Sequence, residues 1–321
     1  MRAIEFNGEI KIHNDFPKPE PDVGEALIKV NLAGICNTDL EIMKGYMDFT
    51  GVLGHEFVGV VEKVNSENQD LSGKRVVGEI NCACGVCDYC LKGLKNHCPT
   101  RNVLGILNKN GCFADYITLP VKNLVEVPDS VSDEEAVLAE PLAAAFEIID
   151  QVYLKPSDKV LVLGDGKLGL LVALVLNLSP AKILLVGKHE DKLEIASAQG
   201  IRTVLLDNLS QNRDYDVVVD ATGSAGGFEL AQKLVKPRGA IVLKSTVAEN
   251  KNINLSTMVI NEITLVGSRC GPFKPAMKAL ENKLVDVKPL ISKIFGFDQA
   301  KEAIEFSRRK GVLKVLIDFK R

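Results

Sequence analysis

The stretch Lys159–Leu178, KVLVLGDGKLGLLVALVLNL, constrains the fold of this chain more than any other. An apolar run of strand length, Lys159 to Leu163, meets a glycine-rich turn, Gly164-Asp165-Gly166-Lys167-Leu168-Gly169. A long apolar run without a breaker follows. G-x-G-x-x-G alone is a weak pattern; between a strand and a helix it has its confirming context. Gly164 permits the tight turn, Gly166 lets backbone N–H groups approach a pyrophosphate, and Gly169 lets the helix pack close to the sheet. The helix N-terminus then faces the anion. The expected dinucleotide site comprises Gly164, Gly166, Lys167, Leu168 and Gly169. A glycine turn with no ligand is the bland alternative.

The pattern continues in AKILLVGKHEDKLEIASAQG, again strand then helix, with Gly200 as C-cap. DYDVVVDATG, GAIVLKST and EITLVGS read as three more buried strands. Strands alternating with helices imply an α/β architecture with a Rossmann doubly wound parallel sheet. The second strand of such a sheet ends in an acid when the ribose 2′-OH is the target. Here that position is Gly187, followed by Lys188 and His189. A carboxylate would repel a 2′-phosphate, whereas glycine leaves room and lysine and histidine pair with it. NADP(H) is therefore expected over NAD(H). The alternative is that Lys188 and His189 are surface polar residues and Glu190 or Asp191 binds the ribose.

Met1 to about Leu138 has a different texture. EALIKVNLAGICNTDL begins as an alternating strand from Ala26 to Leu32, and EFVGVVEKV and GKRVVGEI are further β segments. EVPDSVSDEEAVLAEPLAAAFEIID then opens the helix-rich region with an acidic entry. Gly271–Arg321 ends in a strand, VLKVLIDF, and is expected to return to the first domain.

The 321 residues carry a formal net charge of -3, which gives no basic footprint for nucleic acid. No apolar run reaches membrane-spanning length. MRAIEFNGEI has charges where a signal peptide needs an apolar stretch, so a cytoplasmic protein is expected. Thiols stay reduced in that compartment, and clustered cysteines then argue for metal. Cys84, Cys87, Cys90 and Cys98 form a C-x2-C-x2-C-x7-C ladder within residues 81–99. Four thiolates close a tetrahedral shell around Zn²⁺ and leave no open position, so this zinc would be structural. Gly85 and Gly93 suit the tight knuckles. A [4Fe–4S] cluster also uses C-x2-C-x2-C, but the ferredoxin run has three residues before its last cysteine, not seven. Unliganded loop thiols are the third reading. Cys82, Cys112 and Cys270 have no assigned role.

A second metal site needs an open position. Cys36 lies in GICNTDL, His55 in VLGHEFVG, and Glu140 in AEPLA, where Pro141 is expected to hold an extended backbone at Glu140. Singly, each has a dull explanation: a buried thiol, a turn histidine, a helix N-terminal acid. Together with the ladder and the glycine turn they resemble the zinc-dependent medium-chain dehydrogenase/reductase superfamily, in its polyol and threonine dehydrogenase branch. GICNTDL, GHEFVGVV, the cysteine ladder, EPLA, GDGKLG and DATG match its motifs in order along nearly the whole chain.

That resemblance implies a β-rich GroES-like catalytic domain, residues 1–142 and 271–321, around a Rossmann domain, residues 143–270. It implies two zinc ions per chain and hydride exchange between an alcohol or polyol and a nicotinamide cofactor. Cys36, His55 and Glu140 would hold the catalytic zinc, with Glu56 an alternate ligand. Thr38 would hydrogen-bond the alkoxide and begin a proton relay, and Asp39 would orient His55. Thr222 and Gly223 would line the cofactor cleft. Glu41 stands where many alcohol dehydrogenases have histidine, and either accepts a proton or leaves the relay to water. The partner implied is a small alcohol, polyol or hydroxy amino acid, with no nucleic acid and no membrane, in a homodimer or homotetramer. A threonine or glucose dehydrogenase proper, and a non-catalytic nucleotide-binding descendant, are the competing readings.

Overall fold

The computed structural model describes residues 1–67, 70–244 and 255–320. It divides into two compact units, Met1–Glu140 with Leu290–Arg321, and Pro141–Pro289.

The first unit is built on a seven-stranded sheet. Its order is Leu124–Glu126, Arg75–Gly78, Glu56–Val64, Glu25–Ile35, Lys314–Asp318 and Ile291–Gly296, with Tyr116–Pro120 also paired to Glu25–Ile35. The strand Glu25–Ile35 outruns the alternation read from Ala26 to Leu32, because its second half is buried on both faces and no longer alternates. The last strand, Lys314–Asp318, is buried along its whole length and lies antiparallel to Glu25–Ile35. Gly34 faces Leu316 on one side and Glu56 on the other. A side chain at Gly34 would run into the Glu56 carboxylate, so the glycine leaves that carboxylate its room.

The second unit holds six parallel strands in the order Arg202–Leu205, Lys182–Gly187, Lys159–Leu163, Tyr215–Asp220, Val235–Leu243 and Thr264–Gly267. Counted along this unit the order is 3-2-1-4-5-6, the dinucleotide-binding arrangement. Leu161, Leu163, Val218, Phe228 and Ile241 pack one core of this unit. Gly200 takes φ +79° shortly after the helix Glu190–Ser197, as a left-handed helix stop requires. Thr264–Gly267 does not share the burial expected of EITLVGS. Among the described residues it pairs with Val235–Leu243 alone, and it leaves Leu265 43% exposed, as an edge strand does. Ser245 and Thr246, at the end of GAIVLKST, lie outside the described residues.

Two expectations are corrected here. Residues 271–289 belong with the second unit rather than the first. Phe273, Ala276, Met277 and Leu280 of the helix Phe273–Glu281 are buried, and Gly271 lies so close to the Ala143 carbonyl that no side chain fits between them. Nor does Pro141 hold Glu140 extended. Both lie in the first turn of the helix Ala139–Gln151, where proline sacrifices only an N–H that has no intrahelical partner.

Candidate functional site: a metal cluster and a glycine cradle

Cys36 ends the strand Glu25–Ile35 and caps the short helix Asn37–Ile42. Asp39 in that helix is fully buried and joins three pieces of chain. Its Oδ2 accepts from the Cys36 N–H at 2.8 Å, and its Oδ1 accepts from the Gly54 N–H at 3.2 Å. The same Oδ1 lies 3.3 Å from His55 Nδ1, without the alignment of a hydrogen bond. Cys36, His55 and Glu56 thereby converge, each offering a donor atom within 4.8 Å of the others. His55 Nδ1 and Glu56 Oε1 are buried and have no hydrogen-bond partner among the described residues. Buried polar atoms are normally satisfied, so orphaned donors around a thiol have the character of a metal site.

Charge supports the same fit. Asp39, Glu56 and a Cys36 thiolate face a single ammonium, Lys314, whose Nζ pairs with Glu56 Oε2 and donates to the Ile35 carbonyl at 3.3 Å. Once Cys36 and His55 have given up their protons to bind it, a divalent cation would neutralise the two negative charges left over. Burial depresses the His55 pKa, yet Asp39 and Cys36 outweigh it and carry the imidazolium well above its ordinary range. Burial acts likewise on Lys314, and the Glu56 carboxylate outweighs it.

Glu140, expected as third ligand, lies outside this cluster, and Glu56, expected as the alternate, lies inside it. Thr38 Oγ1 is 3.6 Å from Cys36 Sγ, within reach of the same chemistry. Glu41 is engaged elsewhere, in an ion pair with Lys44 at 2.8 Å on the outer side of its helix. Lys314 was not anticipated. Its signal is a lone lysine inside the apolar run VLKVLID, a position that burial tolerates only with a partner.

The four ladder cysteines form a second cluster. Cys87 and Cys90 sulfurs are 3.5 Å apart, Cys84 and Cys98 3.6 Å, and Cys84 and Cys90 3.9 Å. A disulfide needs about 2.05 Å, so these are not bonded pairs. Sulfurs on a tetrahedron with about 2.3 Å Zn–S bonds stand about 3.8 Å apart, which is the spacing found. The Thr100 hydroxyl, followed by the Cys84 backbone N–H, draws the Cys98 pKa down to about 6. Gly85 and Gly93 take φ +83° and +80° at the knuckles. Cys112, outside both clusters, is buried and donates to the Glu56 carbonyl at 3.4 Å.

The glycine turn sits at the carboxyl end of Lys159–Leu163, ahead of the helix Lys167–Leu176. Gly164 takes φ +111°, closed to other residues, and a side chain at Gly169 would strike the Gly164 carbonyl oxygen. Nothing lies within 4 Å of a Cβ placed on Gly166, so the turn is open where a pyrophosphate would approach. Lys167 and Leu168 form the first turn of the helix. Gly187 ends Lys182–Gly187, and Lys188 and His189 follow it. Thr222 donates to Asp220 Oδ1 at 2.7 Å, and Gly223 completes that turn with φ +66°.

Two domain families match. The alcohol dehydrogenase GroES-like domain covers residues 22–129, and the zinc-binding dehydrogenase domain covers residues 168–285. A sorbitol dehydrogenase from Halalkalibacterium halodurans is 26% identical over 94% of this chain and 93% of its own. The rspB alcohol dehydrogenase from E. coli CFT073, solved with NADH, superposes with a TM-score of 0.91 at 28% identity over 99% of both chains. A zinc-binding dehydrogenase from Sinorhizobium meliloti 1021, bound to NADP, gives 0.90 at 27% identity over 99% of this chain and 98% of that one. With a thiol, imidazole and carboxylate cluster in one unit and a glycine cradle in the other, the chain belongs to the zinc-dependent medium-chain dehydrogenase/reductase superfamily.

Proposed function

We propose that this protein is a zinc-dependent dehydrogenase that oxidises a small alcohol or polyol, or reduces the matching carbonyl, with a nicotinamide cofactor. The convergence of Cys36, His55 and Glu56 carries the reading, because a nucleotide-binding scaffold needs none of them. Bound zinc supplies the Lewis acidity that lowers an alcohol's pKa, and the nicotinamide exchanges the hydride. Cys36 and His55 hold the metal, and Glu56 is the third donor. Lys314 keeps one Glu56 oxygen occupied and leaves Oε1 for the metal side. Thr38 accepts the proton from the substrate hydroxyl and passes it on. Asp39 fixes Cys36 and the Gly54–His55 turn in place.

The lobe of Cys84, Cys87, Cys90 and Cys98 holds a second zinc that supports folding alone. Glu140 remains a candidate ligand once metal is bound. An alcohol, a polyol or a hydroxy amino acid fits a metal site with a neutral hydroxyl beside it. Homo-oligomerisation fits the exposed edge strand Thr264–Gly267, flanked by exposed Leu255, Val259 and Ile260. A cytoplasmic setting fits eight reduced cysteines, and among the described residues no helix is long and apolar enough to cross a membrane.

The test is a panel of alcohols, polyols and hydroxy amino acids, each with NAD⁺ and NADP⁺, followed at nicotinamide absorbance with zinc-loaded protein. Turnover of at least one class, abolished by His55→Ala, is expected. Silence across the panel in both directions, with zinc and cofactor both bound, would leave the non-catalytic reading standing instead.

A further inference from the structure

The position that holds the ribose acid in a doubly wound sheet is Gly187 here, and it is not empty space. A Cβ on Gly187 would sit 2.5 Å from both Cβ and Oδ2 of Asp165, the second residue of the glycine turn. Asp165 therefore occupies the volume that a side chain at 187 would fill. Its Oδ2 accepts three hydrogen bonds: from the Lys188 N–H at 2.6 Å, the His189 N–H at 2.8 Å, and His189 Nδ1 at 2.9 Å. Among the described residues none goes to Oδ1. Burial alone would raise the Asp165 pKa, but His189 and the two backbone donors hold it below its ordinary value.

We propose that Asp165 is the cofactor-selecting residue of this enzyme: its carboxylate replaces the missing acid at Gly187, receives the ribose 2′-OH, and excludes a 2′-phosphate. The inference rests on the dehydrogenase reading and deepens it. Three donors pin Oδ2, which aims Oδ1 as a fixed acceptor at the end of the second strand. The same three donors are the ones a 2′-phosphate would need from Lys188 and His189, and Asp165 has already taken them. A phosphate entering there meets a carboxylate at close range, and like charges in a partly buried site repel strongly. The Lys188 side chain is exposed. Gly187 and Asp165 thus act as one unit: the glycine exists because the aspartate arrives from the other strand. This reverses the cofactor preference drawn from Gly187 alone, and the two readings give opposite measurements.

The experiment titrates NADH and NADPH separately into the full-length, zinc-loaded protein without substrate, reading nicotinamide fluorescence or heat. The wild type is expected to bind NADH at least about tenfold more tightly, the lower bound for a hydrogen bond to a charged group. Asp165→Asn keeps the shape and removes the charge. It should lose about tenfold or more in NADH affinity while NADPH affinity holds or rises. The exchange Asp165→Gly with Gly187→Asp moves the acid to the second strand and should restore the NADH preference. Gly187→Asp alone should lose both cofactors, because two side chains then claim one volume.

Equal or tighter binding of NADPH by the wild type overturns the assignment. So does an Asp165→Asn variant that weakens both cofactors equally while keeping its thermal stability, since that is the behaviour of a loop tie. Wild-type protein that binds neither cofactor overturns this assignment and the dehydrogenase reading together. Preference for NADPH with normal turnover overturns this one alone.

Discussion

Replacing Lys314 by methionine should destabilise the first unit far more than a surface lysine would. Lys314 is 1% exposed and Glu56 0%. The ammonium is the partner of one Glu56 oxygen and also donates to the Ile35 carbonyl. Methionine fills most of the volume, so packing changes little, and the loss is electrostatic. Removing one member of a buried pair leaves the other charge stranded, at about 3–5 kcal/mol. That is a large share of a typical total of about 5–15 kcal/mol. Metal modulates the effect: a divalent ion on the Cys36–His55–Glu56 cluster neutralises the stranded carboxylate. The loss should therefore be near its full size in chelated protein and smaller in zinc-loaded protein. Urea unfolding followed by circular dichroism, with and without a chelator, measures both. Adding Glu56→Gln to Lys314→Met should recover much of the loss in chelated protein, since the carboxylate left without its ammonium is then neutral. A chelated Lys314→Met variant within about 1 kcal/mol of wild type, the range of an exposed pair, would refute the reasoning.

Metal analysis of the pure protein should find two zinc ions per chain and no iron; Cys87→Ser should leave one and lower the melting temperature without directly removing the chemistry. His55→Ala should lose turnover at least as completely as Glu140→Ala, with the cysteine-lobe zinc retained in both, which activity and metal content together report. Thr38→Ala should keep both metals and lose about 10²–10⁴-fold in kcat, and normal turnover would remove Thr38 from the proton path. Gly169→Ala should drive the helix Lys167–Leu176 off the sheet and weaken cofactor binding, visible as lost nicotinamide fluorescence enhancement.

The parts legible in the sequence are those coded by local spacing. The cysteine ladder needs only its own loop to bring four sulfurs together. The glycine turn needs only its strand and helix, and GICNTDL closes one strand while GHEFVG opens its neighbour. What could not be read locally depends on two distant segments claiming the same space. Asp165 and Gly187 are separated by a whole βα unit, so the glycine looks like a vacancy until the aspartate is seen filling it. Glu56 reads as a spare ligand until the last strand brings Lys314 to its other oxygen. The 271–289 boundary failed for the same reason: its helical pattern does not say which unit its buried face meets.

The placement of Lys314–Asp318 inside the first sheet also sets an order of assembly. Lys314 and Glu56 are 258 residues apart in the chain, and everything from Pro141 to Pro289 is made between them. Domains fold as units during synthesis, at about 5–20 residues per second. The inserted unit is continuous and has all its strands before the terminal segment exists. The first unit has a gap in the middle of its sheet until Lys314–Asp318 has been made. For that interval Glu56 lacks its ammonium, and the strand Glu25–Ile35 has an unpaired edge. Completion of the proposed metal site at Cys36, His55 and Glu56 thus waits for Lys314, and a chain cut before that strand would carry a complete nucleotide fold and an unfinished metal site.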